Sequence, residues 1–310
     1  MNYYVRPIFS KKNKTSSHYK KLGSSNLFFD TIEIITRNKN KIDNKFLHLK
    51  DIDSLKKEEL KSVLDQIKNI ITPRKKIASI DFNQPKIMGI LNVTPDSFSD
   101  GGKFNSLDKS TAYAMQMIKD GANIIDIGGE STRPGAKTIL NKIEIARVIP
   151  AIKRIKSKNK KIIISLDTRK PEVMRAGIKD NIDIINDVSG LRFSSKSINL
   201  IKNNNIPFVL MHSINNPKTM QSNTNYENVL LDVYDFFKKK IALCESKKIN
   251  RQSIILDPGI GFGKSVQQNL ILISNIALLH SLGCPVLLGS SRKSFIGKLD
   301  KNALEEKRLG

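Results

Sequence analysis

The chain has 310 residues, 39% of them hydrophobic, and a formal net charge of +24. That apolar content excludes global disorder, and no apolar run approaches the roughly 18 to 20 residues needed to cross a bilayer. Two cysteines far apart, Cys244 and Cys284, exclude a disulfide or CxxC zinc scaffold and predict reduced thiols in the cytoplasm.

The charge is dispersed. Residues 1–80 carry +10 of it and the remainder is spread along the other 230 residues, so no stripe or tail concentrates it. Few aromatics interleave with the lysines, and the pattern reads as solvated lysine faces rather than a nucleic-acid or membrane surface.

The first 29 residues contain no acidic residue and predict a poorly ordered or loosely docked arm, with an organelle-targeting role left open. Thr31 to Thr36 is a short β-prone run. Ser54 to Ile70 sets Leu60, Val63, Leu64, Ile67 and Ile70 on one helical stripe. Residues 1–80 therefore read as a basic N-terminal extension or accessory α+β flap, and residues 81–310 as the main domain.

From Lys86 the texture changes. Short apolar runs at 87–93, 123–127, 161–166, 182–185, 207–211, 253–256 and 285–288 alternate with amphipathic segments, as parallel strands buried on both faces require. Between them, Ser106 is placed to cap a helix that Gly121 stops. Pro171 suits a first helical turn, and Pro150 is expected to kink or break the helix after the second run.

After every run comes a polar, glycine-rich cluster: Asn92 to Gly102, Gly128 to Gly135, Asp167 to Arg169, Asn186 to Gly190, Met211-His212, Asp257 to Lys264 and Gly289 to Ser294. A doubly wound sheet builds its site at one switch point, whereas a barrel gathers all its βα loops at one mouth. The reading is an α/β fold of the TIM-type (β/α)8 barrel class, with seven βα units visible and the eighth missing.

The rim would hold Asn92, Asp96, Asp100, Thr132, Arg133, Asp167, Asn186, Asp257, Arg292 and Lys293. Its cations suit phosphate or carboxylate anions, and its strand-end carboxylates and amide suit a flat heterocycle with an N–H edge. Asp257 to Ser265 is no P-loop, because Pro258 stands where glycine is required, and its glycines lack dinucleotide-fingerprint spacing. No serine or cysteine has a convincing base partner, so positioning and electrostatic stabilisation of a leaving anion must carry any reaction.

The motifs at 87–102, 121–135, 165–168, 185–190, 255–264 and 287–297 resemble, in order, those of the dihydropteroate synthases. The resemblance implies a transferase of folate biosynthesis, a sulfonamide target, that condenses a dihydropterin-methyl diphosphate with 4-aminobenzoate. It implies pterin contacts from Asp167, Asn186, Met211, Asp257, Phe262 and Lys293, and diphosphate contacts from Asn92, Thr132, Arg133 and Arg292. Aminobenzoate would meet Phe98, Ser131, Pro134 and Ser294. Asn92 would also meet a Mg2+ ion, Asp167, Lys293 and Arg133 would be catalytic, and a homodimer is compatible with the family. One departure stands out: the sequence reaches Arg308-Leu-Gly310 where the family continues to an eighth strand with Arg-x-His. That departure makes a catalytically impaired fragment one alternative; a pterin- or methyltetrahydrofolate-binding methyltransferase-type barrel, which shares the overall plan, is the other.

Overall fold

A computed structural model describes residues 1–10, 18–39, 41–94, 106–131, 138–213 and 225–300. The extension is an antiparallel sheet of β1 (Asn2–Ser10), β2 (Lys20–Lys21), β3 (Phe28–Asn38) and β4 (Lys41–His48), with β1 along one side of β3 and β2 and β4 along the other. A 3-10 turn, Leu49–Ser54, leads into α1 (Lys57–Ile71).

The start of the chain is a well-packed strand rather than the loosely docked arm expected from its composition. Tyr4 and Val5 are both buried, on opposite faces of β1. Val5 joins Phe29, Ile32, Ile34, Val63, Ile67 and Ile70 in the core of the flap, while Tyr4 joins the core of the main domain. Tyr4 sets its ring edge-on to Tyr234 at 5.1 Å and donates its hydroxyl to Asp235 at 3.0 Å. Gln66 serves the free edge of β1 as another strand would, accepting from the Val5 N–H at 2.9 Å and donating to the Tyr3 carbonyl at 2.9 Å. The α1 stripe is narrower than expected, since Leu64 is 45% exposed. Its neighbours Val63 and Ile67 already fill the contact with the sheet.

The main domain alternates β5 (Met88–Asn92), α2 (Ser106–Lys119), β6 (Ile124–Gly128), α3 (Asn141–Lys158), β7 (Ile163–Asp167), α4 (Pro171–Lys179), β8 (Ile184–Asp187), α5 (Ser195–Asn204), β9 (Phe208–Met211), α6 (Val229–Ser246), β10 (Ile254–Asp257), α7 (Val266–Ser274) and α8 (Ser294–Leu299). The six strands are all parallel and lie side by side in chain order. A doubly wound sheet reverses that order at its switch point; this one never does, which is the progression of a TIM-type barrel.

Two predicted features differ. The seventh apolar run forms no extended strand: Leu256 donates to Pro285 and Leu287 donates back to Leu256, a single parallel bridge at Val286. Pro285 has no N–H to lengthen the ladder. The helix expected to kink or break at Pro150 is not broken there and runs on as α3. Val148, Ala151, Ile152 and Ile155 around it are fully buried, and that packing outweighs the roughly 3 kcal/mol cost of an internal proline. Pro171 does open its helix, and Gly121 has the positive φ, 107°, of a helix stop.

Strand alternation assigns the two faces. Ile125, Ile127, Ile164, Leu166, Ile185, Phe208, Leu210 and Leu256 pack outward among the helices. Ile124, Ile163, Ile184, Val209 and Ile255 point inward and close the bottom of the barrel together with Ile77 and Ile80. Above that apolar floor the inward positions turn polar.

Candidate active site

Strand register builds the polar layer. Asn92 lies opposite Gly128, Gly128 opposite Asp167 and Asp167 opposite Asn186, while Asp257 lies opposite Met211. Gly128 leaves room between its neighbours: a Cβ there would stand 3.3 Å from Asp167 Oδ2 and 3.5 Å from Asn92 Oδ1. Asn92 is exposed at the strand end, Asp167 is partly buried, and Asn186 and Met211 are buried.

Two residues that motif reading did not single out complete the layer. Asp126 is two residues before Gly128 and Ser165 two before Asp167, so both share the inward face of their strands. Each is a polar residue at an inward position of an apolar strand, the signal by which sequence could have found them. Asn186 Nδ2 donates to Asp126 Oδ2 at 2.9 Å. Asp126 Oδ1, Asn186 Oδ1 and Ser165 Oγ are buried and make no hydrogen bond of good geometry to the protein, although Ser165 lies close enough to favour the Asp126 carboxylate.

Burial pushes the carboxyls of Asp126 and Asp257 up from their ordinary values. The Asp167 carboxyl is raised well above its ordinary value by burial, reinforced by Asp126, Glu144, Asp187 and Glu130. Burial pulls Lys293 down, while Asp257 and Asp167 oppose that shift. The Lys293 ammonium sits 4.2 Å from the centre of the Phe262 ring. The arrangement is a largely desolvated set of acceptors with the Lys293 cation beside it, suited to a flat ligand rich in N–H donors.

The other predicted residues divide. Ser131 follows Gly129-Glu130 at the end of β6 and is partly buried. Arg292 and Ser294 are exposed, Arg292 with φ 58° just before Lys293, and Ser294 as the first residue of α8. Asp96, Phe98, Asp100, Thr132, Arg133 and Pro134 lie outside the described residues. Of the predicted rim, the described residues bring Asn92, Asp167 and Asn186 together across adjacent strand ends and set Lys293 beside Phe262. His212 packs edge-on to Phe236 at 4.8 Å, and burial holds its pKa well below the usual value. Among the described residues no three His, Cys, Asp or Glu side chains gather as a metal site, and no helix is long and apolar enough to cross a membrane.

Residues 88–310 match the pterin-binding enzyme family. The chain is 45% identical over 221 residues to a dihydropteroate synthase of Escherichia coli, covering 71% of this chain and 78% of that protein. The chain belongs to the dihydropteroate synthase family. Solved structures of the family agree. The Xanthomonas albilineans synthase with 4-aminobenzoic acid superposes with a TM-score of 0.70 at 39% identity, covering 76% of this chain and 85% of that one. The Yersinia pestis synthase in complex with a sulfonamide drug gives 0.69 at 36% identity over 76% and 85%. Family membership covers the barrel, and the flap formed by β1 to β4 and α1 lies before the matched residues.

Proposed function

We propose that this chain condenses (7,8-dihydropterin-6-yl)methyl diphosphate with 4-aminobenzoate, giving 7,8-dihydropteroate and diphosphate in folate biosynthesis. The observation that carries this reading is the set of buried, unpartnered acceptors on Asp126 and Asn186 beside Asp167 and Asp257. Buried acceptors without partners are costly, and a pterin, whose ring edge carries amino and N–H donors, would satisfy them in one plane.

In this reading Asp167, Asn186, Met211, Asp257, Phe262 and Lys293 hold the pterin. Asn92, Thr132, Arg133 and Arg292 face the diphosphate, and Phe98, Ser131, Pro134 and Ser294 face the aminobenzoate. As the bond from the methylene carbon to the diphosphate oxygen breaks, positive charge grows on the pterin-methyl group, and Asp167 lies where it offsets that charge. The aromatic amine then attacks the methylene carbon and gives up a proton. Catalysis on this scheme is positioning plus electrostatics, with Arg133 and Lys293 supplying fixed positive charge.

The exposed amide oxygen of Asn92 suits a magnesium ion, which prefers oxygen donors and is satisfied largely by water and substrate phosphates. Bound there, the ion would neutralise the leaving diphosphate. The buried, free Cys244 and Cys284 suit a reducing, cytoplasmic compartment.

The test is incubation of the full chain with both substrates and magnesium. Pterin-dependent consumption of aminobenzoate is expected, inhibited competitively by a sulfonamide. No consumption at any magnesium concentration overturns the reading. Lys293→Ala should lower turnover by at least about tenfold, as expected for losing a charged contact at the reacting pterin.

A further inference from the structure

Lys264 closes the loop that begins at Asp257, and its side chain is almost entirely buried, at 9% exposure. Its Nζ lies 2.9 Å from the carbonyl oxygen of Gly259, 3.0 Å from that of Phe262 and 3.4 Å from that of His212. Three carbonyls thus stand within hydrogen-bond reach of the one Nζ, and burial pulls its pKa down from the usual lysine value to about 7. Two belong to the loop itself, and the third to the residue that follows β9.

The same junction is tight from the other direction. Gly259 has φ 65°, and a Cβ there would stand 2.0 Å from the His212 carbonyl oxygen. Asp257 Oδ1 accepts the Gly259 N–H at 2.7 Å, and Asn269 of α7 accepts the Gly261 N–H at 2.8 Å. Phe262 projects from this loop, with the Lys293 ammonium over its ring. A Cβ on Gly261 would stand 3.1 Å from the Lys293 Cδ, so the loop backbone also abuts the stem of that lysine.

We propose that Lys264 is a positioning residue for the pterin substrate: by tying the loop after β10 to the end of β9 it fixes Phe262, and through Phe262 it fixes Lys293. This rests on the assignment of Phe262 and Lys293 to the pterin site. Lys264 itself does not touch substrate, since its Nζ is held by backbone carbonyls. A lysine held in this way costs less to bury than a bare ammonium and holds three points of two separate loops at fixed separation. The three carbonyls that Lys264 reaches belong to the loop after β10 and to the end of β9, so the effect of the clamp is expected chiefly at the pterin substrate.

The experiment compares the wild-type chain with Lys264→Gln, Phe262→Ala and the double variant. It reads the KM for each substrate, kcat, thermal melting and amide hydrogen exchange across residues 257–264. Lys264→Gln is expected to raise the KM for the dihydropterin-methyl diphosphate about tenfold while changing that for 4-aminobenzoate by less than about twofold. In the Phe262→Ala background the same substitution should add clearly less than it does alone, because the part of its path that runs through the ring is gone. The Gly259 and Gly261 amides should exchange faster, and the melt should remain cooperative.

Equal rises in both KM values, additive effects in the double variant, or loss of the cooperative melt overturns the proposal, each marking a general structural role. Unchanged exchange at Gly259 and Gly261 also overturns it. Exchange is read without catalysis, so an inactive wild-type chain with faster exchange in Lys264→Gln would refute the proposed reaction and still support the clamp.

Discussion

Asn186 Nδ2 donates to Asp126 Oδ2 at 2.9 Å, reaching from β8 to β6 above Ser165 on the strand between them. The bond fixes the orientation of both side chains, so that Asp126 Oδ1 and Asn186 Oδ1 remain as buried acceptors. Three adjacent strands thus present a prearranged hydrogen-bonding edge to the barrel interior, one that a ligand carrying N–H donors would meet.

Asp126→Asn separates recognition from stability. The substitution keeps the shape and removes a buried carboxyl that desolvation already disfavours. Turnover should fall at least about tenfold, since a lost charged acceptor is worth roughly 1.5–3 kcal/mol. The melting temperature should equal or exceed that of the wild type, because a buried charge without a cation is a stability cost. Calorimetry beside steady-state kinetics checks both, and a variant less stable but fully active would contradict the placement of Asp126 under the substrate.

Asp167 predicts a pH dependence with a definite sign. Its folded-state pKa is raised well above 3.8. As pH falls through the raised value, the folded protein takes up a proton that the unfolded chain does not yet bind, so stability rises on acidification down to about 3.8. Above the raised value the penalty is fully present. Asp126, Asp187 and Asp257 are shifted the same way, so the useful measurement is the difference between the wild type and Asp167→Asn. The wild type should gain more stability than the variant between neutral pH and about pH 4, and the variant should lose at least about tenfold in turnover. Parallel stability curves would refute the shift.

The six paired strands and their order were legible because buried parallel strands are continuous apolar runs, each followed by residues that neither strand nor helix would select. Asp167, Asn186 and Asp257 were legible for the same reason, as polar residues standing where an apolar run stops. Asp126 and Ser165 were not, because each is a single polar position inside an otherwise apolar strand, and only the inward register shows that they share a floor. Tyr4 was obscured by composition: an acid-free, lysine-rich start looks solvated until β1 is seen to feed two cores from its two faces. That the helix continues through Pro150 was not legible, because the local penalty of proline is visible in sequence, whereas the burial of Val148, Ala151 and Ile152 around it is not.

The docking of the flap gives a stability prediction that bears on the proposal that residues 1–80 are an accessory unit. Tyr4 is 1% exposed, packs edge-on to Tyr234 and donates to Asp235. Arg37 adds ion pairs to Asp232 and Glu227, both at 2.8 Å, from the same sheet. Tyr4→Ala should cost about 3–5 kcal/mol, as expected for truncating a buried aromatic. Turnover of the folded fraction should stay within about twofold, since the inward polar layer is built by other strands. A large change in KM with little change in melting would instead tie the flap to the active site.

Metal dependence is the remaining prediction, and it falls on Asn92. Its amide oxygen lies at the exposed end of β5, across Gly128 from Asp167 Oδ2. Chelation of magnesium should abolish turnover of the proposed reaction, and readdition should restore it. Asn92→Ala should raise the magnesium concentration needed for half-maximal turnover about tenfold, the scale of losing one ligand from an ion held mainly by phosphate and water. The melting temperature should not change, because an exposed amide contributes little to the fold. Titrating magnesium at saturating substrates separates this from a loss of substrate affinity: an unchanged magnesium midpoint with a raised KM would place Asn92 against the diphosphate alone and remove it from the ion.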